Sequence, residues 1–591
     1  MANTKKYWKG IDELNETKSF QESKESEFSQ SNSIESFLAD DQLSESSTGR
    51  RDFLKFLGFS VAAATVAACE APVIKAVPYV MKPENVTPGM PTWYASTYYD
   101  GSSYASILVK TREARPIFIK GNKHFGITKG SVTPPIIASV LGVYDSERIK
   151  TPLKAGKKSS WTAVDKEISS AIRNGNKVAL ISSTVISPST LSAISELGSA
   201  VKGEFEHIQY DAISYSAMRN ANELNFGKPF IPSYDFSKAK TIVSINADFL
   251  STWLMPTEFA AQYGETRNPE SEGGWMSKHF QFESVMSVAG SNADYRTMTK
   301  PSEEEAVLKY ILAGLRGMKG TIPSSLKKSA DLAIKSLQEN GKESLVVCGT
   351  NNTGLQQLAN EINQLNGANG TTIDLYNELQ MFQSEEAKLM NCVKGISSGK
   401  YDVVLFYNSN PVYSFPKDEL KKALKSKKVK VSVSLNSHAD ETGALCTYNC
   451  PDHHALESWA DYQPKSNHYA IAQPTIRPLH DTADALESFL VWSGKAERGG
   501  KDSTVAYDKI KETFSNISSA DFKMVMHDSC VDLPQPMLED SISFNSAQYA
   551  AMPKKATGTE VITYQKSAIG AGIHANNPWL HELPDPITKV T

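Results

Sequence analysis

Cysteine is scarce in this sequence, with six residues in 591: Cys69, Cys348, Cys392, Cys446, Cys450 and Cys530. So low a density excludes a small scaffold stapled by disulfides. The placement excludes more. None lies between Cys69 and Cys348, so an iron–sulfur cluster held by four thiolates cannot sit in the N-terminal half, and no C-x₂-C-x₂-C run occurs anywhere. Neither sign of charge is in excess: 62 Lys and Arg against 66 Asp and Glu leave a net charge of −4. Read along the chain, no basic patch with interleaved aromatics stands out, so a nucleic-acid partner is not expected. What is present, 40% hydrophobic and 22% charged residues, is ordinary for globular domains. At about 150 residues per domain the length implies three or four of them.

The N-terminus reads as a set of export signals. Residues 1–49 are polar and rich in Ser and Glu, with a short amphipathic stretch around Tyr7-Trp8-Lys9; they are expected to be unstructured before translocation, with Asp12 and Glu13 on a solvated face. Then Arg50-Arg51-Asp52-Phe53-Leu54-Lys55 matches a twin-arginine signal. The apolar run over 56–68 is too short for a bilayer of about 30 Å and suits the core of a cleavable signal. It ends in Val66-Ala67-Ala68-Cys69, a lipobox-like sequence. Lipidation of Cys69 is therefore expected, in preference to an ordinary small-residue cleavage site. Residues 70–92, rich in Pro, read as a tether.

Beyond the tether the periodicity changes. Residues 107–110 and 117–120 read as strands bounded by Gly101 and by Gly121-Asn122, within a small β-rich domain over 93–157. Short apolar strands then alternate with helices: 178–182, 241–245, 345–350, 403–407 and 429–433, with a helix start at Ser187-Pro188 and another helix over 355–365. This alternation predicts parallel α/β layers. The boundaries expected are a discontinuous α/β domain over 158–215 and 341–490, a second α/β domain over 216–340, and a return of 491–591 to the β-rich domain. In open parallel sheets ligands bind beyond the carboxyl ends of the strands, so the loops there are the place to look for a site.

Several of those loops carry a resemblance. Asn408-Ser409-Asn410-Pro411-Val412-Tyr413-Ser414, then Ser434-Leu435-Asn436-Ser437-His438 with Glu441-Thr442, then His453-His454 through Asp461, and Gln473-Pro474-Thr475-Ile476 follow one another in the order seen in the large subunits of molybdopterin oxidoreductases. Arg115-Pro116 with Gly121-Asn122 resembles an earlier landmark of that family. The resemblance covers most of the chain from about Trp93. It implies an α/β, multi-domain, molybdopterin-oxidoreductase-like fold with parallel α/β layers and a small β-rich N-terminal domain. It also implies that Asn410, Pro411, Ser414, Glu441 and Thr442 stand where the family holds a pterin. The leader, the segment Ala247-Asp248-Phe249-Leu250-Ser251-Thr252-Trp253 and residues 575–586 resemble a narrower branch, the large iron–sulfur subunit of alternative complex III, whose molybdopterin-like domain is cofactor-free.

The departures from the family matter as much. The cysteine quartet that precedes the Arg-Pro landmark in active members is absent, and the middle region offers only Ser214, Ser216 or Asp211 as a protein ligand to molybdenum. A soft-metal site needs ligands of suitable type and number, so the resemblance with these gaps implies a vestigial site, no cofactor in this chain and no catalytic residue. Relatives continue past the position of Thr591, so the chain is expected to be the N-terminal portion of a longer protein, with iron–sulfur clusters in the C-terminal part. The partners implied are haem-bearing cytochrome subunits, polytopic quinol-binding membrane subunits and a terminal oxidase, at the periplasmic face of the inner membrane. An active molybdenum reductase acting on a sulfur compound is the alternative, and a lipoprotein holding a ligand in the emptied cleft is a third reading.

Two smaller sets of residues invite chemistry. Cys446 and Cys450 precede His453 and His454 at a spacing compatible with zinc, but also with plain core packing or with a disulfide, which an oxidising compartment favours over zinc. Glu283 and Asp294 suggest paired carboxylates, yet their Ser-rich surroundings point to capping.

The signal reading is directly testable. Replacing Arg50 and Arg51 together with Lys removes the planar guanidinium pair and should leave the precursor inside the cell. Intact mass should show an acylated Cys69 as the first residue of the mature chain, lost in Cys69→Ala.

Overall fold

The computed structural model describes residue 18, residue 87 and residues 89–590, apart from 269, 271–273, 416–417, 536–541, 554–555 and 557. The leader apart from residue 18, Arg50, Arg51, Phe53, Leu54, Lys55, Cys69 and most of the tether lie outside the described residues. Among the described residues no helix is long and apolar enough to cross a membrane.

The chain enters through a three-stranded antiparallel meander: β1 (Thr92–Tyr99), β2 (Tyr104–Arg112) and β3 (Arg115–Gly121). Its inner face buries Tyr98, Ala105, Ile107, Val109 and Ile119 against Ile136, Val140, Val143 and Leu456. The turn between β1 and β2 is built by Asp100, whose carboxylate accepts the N–H groups of Ser102 (2.9 Å) and Ser103 (2.7 Å), with Gly101 at φ +97°. The turn between β2 and β3 places Glu113 and Ala114 at φ +51° and +61°, the backbone that a two-residue hairpin needs even without glycine.

Two parallel sheets follow. The larger has seven strands; from one edge inward Lys157–Lys158 and Leu153–Lys154 run antiparallel, then Tyr448–Asn449, Val431–Ser434, Val403–Tyr407, Lys177–Ser182 and Glu204–Gln209 run parallel. Alternation along the strands sends Val178, Leu180, Val403, Leu405 and Val433 to one face, under Phe489 and Trp492. It sends Ala179, Ile181, Val404 and Phe406 to the other, under helices Glu386–Ser398 and Glu419–Lys425. The smaller sheet is four-stranded and parallel, in the order Tyr295–Met298, Lys278–Glu283, Thr241–Ile245, Ser344–Cys348. Strands buried on both faces explain the near-continuous apolar runs in the sequence.

Three boundaries move. The strand at 344–348, expected in the 341–490 segment of the first α/β domain, pairs with Thr241–Ile245 of the second, and helix Thr353–Asn366 packs on that same sheet. The short strand Leu153–Lys154, within the 93–157 span expected for the β-rich domain, forms the edge of the seven-stranded sheet together with Lys157–Lys158, which straddles that boundary. The return to the β-rich part begins at Ala460–Lys465 and His468–Ala472, which pair with each other, the second also pairing with Cys530–Asp532, while helix Val505–Ile517, expected to return as well, seats Ala506 and Ile510 in the core of the larger sheet. Periodicity identifies each element but carries no information on which sheet edge it joins.

A buried ion pair fastens the N-terminal meander to this second crossing. Arg148 donates to both carboxylate oxygens of Glu457, at 3.1 and 2.6 Å, and to the Val143 carbonyl at 3.0 Å; both side chains are fully buried. The Glu457 carboxylate also accepts the N–H of His454 and of Leu479. Burial alone would raise its pKa, but these donors hold it down at about 2. Stability from this group is therefore fully present above the ordinary carboxyl range and is lost as pH falls from about 4.5 toward 2. Removing one charge of such a pair costs about 3–5 kcal/mol. Glu457→Gln should lower the denaturant midpoint accordingly and flatten the acid limb of the stability profile between those pH values.

Candidate functional site

The carboxyl ends of the parallel strands are turned by asparagine. Asn408, after Val403–Tyr407, sits at φ +47°, and Asn246, after Thr241–Ile245, at φ +52°. Asparagine tolerates the left-handed region better than most residues, so both strands can end in a sharp turn. From there Asn410 precedes the short helix Pro411–Ser414, whose proline needs no N–H partner.

Two of these loops are locked together. Asn410 donates from Nδ2 to Glu441 Oε2 at 2.7 Å, and its Oδ1 accepts from the Thr442 hydroxyl at 2.7 Å and the Thr442 N–H at 3.2 Å. Thr442 Oγ1 in turn accepts the N–H of Val412 at 3.1 Å, and Ser414 Oγ donates to the Asn410 carbonyl. Asn436 ties the same loops through the Ser409 carbonyl, 2.9 Å. Thus the structure brings Asn410, Pro411, Ser414, Glu441 and Thr442 together, and the polar atoms that join the two loops are directed at each other.

The residues in front of these loops come from the far end of the chain. Residues 545–551 lie along the end of the smaller sheet: Asn225 reaches the Asn545 carbonyl, Gln357 accepts the Ala550 N–H, and Asn352 donates to the Ala551 carbonyl. Residues 565–577 then cross to the meander and the larger sheet. Ser567 meets Ser251 at 2.6 Å, His574 Nε2 lies 2.8 Å from Asp100 Oδ2, and Gly572 lies against the Tyr413 ring. Asn576 donates to Asp145 at 2.6 Å and also touches His438, whose Nε2 is 3.0 Å from the same carboxylate. Asn577 donates to the Ala138 carbonyl. Burial would raise the pKa of Asp100, but the hydrogen bond and charge of His574 and the turn N–H groups hold it below the ordinary range. The hairpin turn is pressed equally close to the strand ends: a methyl group on Gly101 would meet Ser183 Oγ at 3.1 Å and Asn408 Nδ2 at 3.3 Å. Between Ser102, Ser103, Thr133, Ser251, Thr252 and the 565–574 segment a cavity of about 30 Å³ remains, room for a water molecule or two.

The oxygen donors singled out for molybdenum have other partners. Asp211 accepts from the Thr184 N–H (2.8 Å) and hydroxyl (2.6 Å), and burial pushes its carboxyl up to about 6. Ser214 and Ser216 bond each other at 3.0 Å at the start of helix Ser216–Phe226. Glu283 takes Arg296 and Ser287, and Asp294 takes Arg267 and the His279 N–H; the two carboxylates serve separate partners, as capping and pairing residues do.

Cys446 and Cys450 are free thiols, which corrects the disulfide expectation. Cys446 belongs to the core with Ile181 and Phe406, and Cys450 to the core with Leu180 and Leu405, so the two sulfurs lie on opposite faces of the seven-stranded sheet. Regular alternation over four residues would put them on one face, but Cys446 ends the turn Gly443–Leu445 and stands before the two-residue strand Tyr448–Asn449. Lying on opposite faces, they do not converge on one ion with His453 and His454. His453 Nδ1 is 2.6 Å from the Thr482 hydroxyl and His454 Nε2 is 3.1 Å from the Ser139 carbonyl; burial lowers both rings to about 4. Burial also pushes both thiols well above their ordinary range.

Asp100, Asp145 and His574 escaped the sequence reading. His438 and Asn576 fell inside quoted landmarks without a role. Their common signal is weak: each is a polar residue near a turn, and only the long-range crossing of residues 565–577 gives them one another.

No protein-family model matches the chain. It is 22% identical over 513 residues, 76% of this chain and 72% of the other, to the menaquinone reductase molybdopterin-binding-like subunit of Nitratidesulfovibrio vulgaris. Its structure is similar to that of acetylene hydratase from Pelobacter acetylenicus, with a TM-score of 0.56, 11% identity and coverage of 75% of this chain and 74% of that one. With its parallel α/β sheets and small antiparallel N-terminal sheet, the chain has a molybdopterin-oxidoreductase-like fold.

Proposed function

We infer that this chain is a non-catalytic, molybdopterin-oxidoreductase-like scaffold subunit of a membrane-associated electron-transfer complex that works with quinol. The likeness to a menaquinone reductase subunit supports the quinone-related setting. The observation that carries the scaffold reading is the crossing of residues 565–577 in front of the strand ends, anchored by His574 on Asp100 and Asn576 on Asp145. A pterin dinucleotide needs a pocket of several hundred Å³, and the space beside this segment is about 30 Å³. That narrowness supports a reading in which this end of the strands holds no such group, and no reaction step is assigned to it; the roomier cleft, about 420 Å³ between Ala114, His453, Trp459, Ile476 and Lys501, shares no residue with it. The finer assignment, to alternative complex III with transfer from quinol to cytochrome c or a terminal oxidase, rests on the branch landmarks in the sequence. The same landmarks support haem-bearing and polytopic membrane partners and a periplasmic position held by a lipid on Cys69.

In this role the loops matter as rigid surfaces. Asn410 with Thr442 and Glu441 fixes the ends of two strands relative to each other, and partners would read that fixed surface.

Two measurements test the reading. The purified complex should contain molybdenum far below one equivalent per chain and release no pterin fluorescence on denaturation; stoichiometric molybdenum with a paramagnetic signal would restore the reductase alternative. Loss of a charge-assisted hydrogen bond is worth about 1.5–3 kcal/mol, so His574→Ala should speed amide exchange across residues 565–577 by roughly 10- to 100-fold. The wild-type protection should also weaken as pH falls through the depressed range of Asp100, because its stabilising charge is lost there.

A further inference from the structure

The linear sequence shows no basic patch with interleaved aromatics, but strand pairing makes one. On the outer face of the meander Trp93 stands opposite Lys110, and Lys110 opposite Phe118, so the three form one cross-strand row. The next row on that face is Ala95, Leu108 and Lys120. The ammonium groups of Lys120 and Lys110 lie 4.2 and 5.7 Å from the Trp93 ring centroid. An irregularity in register at Lys110/Thr111 lets Ile117 and Phe118 both protrude, 48% and 43% exposed, and Met90 is 63% exposed just before β1. Residues 110–123 carry Lys110, Arg112, Arg115, Lys120 and Lys123 against Glu113 alone, five cations to one anion in a chain of net charge −4. Among the described residues none of the five forms an ion pair with a carboxylate.

We propose that this face of the N-terminal sheet docks on an anionic lipid surface. Aromatic and aliphatic tips flanked by long basic side chains suit the headgroup boundary: the rings enter it while the ammonium groups remain with the phosphates. The face is also where the chain emerges from its tether. Only 22 residues separate Cys69 from Thr92, at most about 80 Å of extended chain, so a lipid on Cys69 would keep the face within reach of the bilayer. An acidic protein surface would satisfy the cations but not the protruding Trp93, Ile117, Phe118 and Met90.

The inference rests on the reading of the chain as membrane-associated, and is independent of whether the cleft holds a cofactor. Full-length Cys69→Ala protein, which cannot be acylated there, separates the face from the anchor. It should co-sediment with phosphatidylcholine vesicles containing about one-third phosphatidylglycerol at least tenfold better than with pure phosphatidylcholine vesicles, and the difference should shrink with salt. Adding Lys110→Gln and Lys120→Gln should weaken that binding on the order of tenfold, with an unchanged circular dichroism spectrum. Trp93→Ala with Phe118→Ala should weaken it as well. The proposal is overturned if the folded Cys69→Ala chain ignores both vesicles, binds them equally, or binds as before without the lysines. Charge-dependent capture by acidic proteins in place of vesicles would overturn it too, and would reassign the face. The molybdenum and pterin measurements read the scaffold function separately from any of these outcomes.

Discussion

The Arg148–Glu457 pair is the constraint on which the placement of the other parts depends. It joins the region after the β-meander to a segment some three hundred residues later, and it does so with both charges out of water. Such a pair gains little over an apolar contact when intact, yet tolerates no loss of either member. Its value lies in direction. The fork of the guanidinium accepts one orientation of the carboxylate, and two backbone N–H groups from the second crossing close on the same oxygens. The meander is thereby set at one angle, and the Asp100 turn is carried to the carboxyl ends of the larger sheet.

The Asp100 turn then meets the 565–577 segment. A site that binds a ligand must keep polar groups unsatisfied by the protein and exposed to a pocket. Here most of those groups satisfy one another, with Thr133 Oγ1 at the cavity and Asn436 Oδ1 between the loops left without a partner. Asn410 is spent on Glu441 and Thr442, Asp211 on Thr184, Asp100 on its own turn and His574. Each bond relieves the desolvation cost of a polar group near the strand ends. The loops of a molybdopterin-like fold can therefore persist as packing devices, because a strand end needs a turn and a helix start whether or not a ligand follows.

Much of the fold was legible along the chain, element by element. The helix at Pro188–Ala200 begins where Ser187 and Pro188 announce it, with the Ser187 side chain accepting the Thr190 N–H. The helix predicted over 355–365 is found at Thr353–Asn366, capped by Asn352 and ended by Gly367 in the left-handed conformation. The grouping of the Asn410 and Glu441-Thr442 loops came from the family resemblance, and the two loops are hydrogen-bonded to each other. The possible disulfide is not formed: a spacing of four residues is compatible with a bridge, but Cys446 ends a turn before the strand that Cys450 follows, and the two sulfurs enter different cores. The strand at 344–348 was assigned to the wrong sheet, since an apolar run looks the same wherever it pairs. The cations of residues 110–123 are contiguous in sequence, but the basic aromatic face was not legible there, because Trp93 joins Lys110 and Phe118 only across the meander.

By itself, then, the sequence determined the alternation of strands and helices, their caps and turns, and the loops at the strand ends. These depend on contacts between residues a few positions apart, where side-chain period and backbone preference act directly. Only the tertiary structure decided which strands share a sheet, which face each thiol occupies, what stands against Asp100 and Asp145, and which side chains form the outer face of the meander. Those outcomes depend on contacts between segments tens to hundreds of residues apart, and they are selected by the burial and hydrogen bonding of the whole assembly, which no local pattern records.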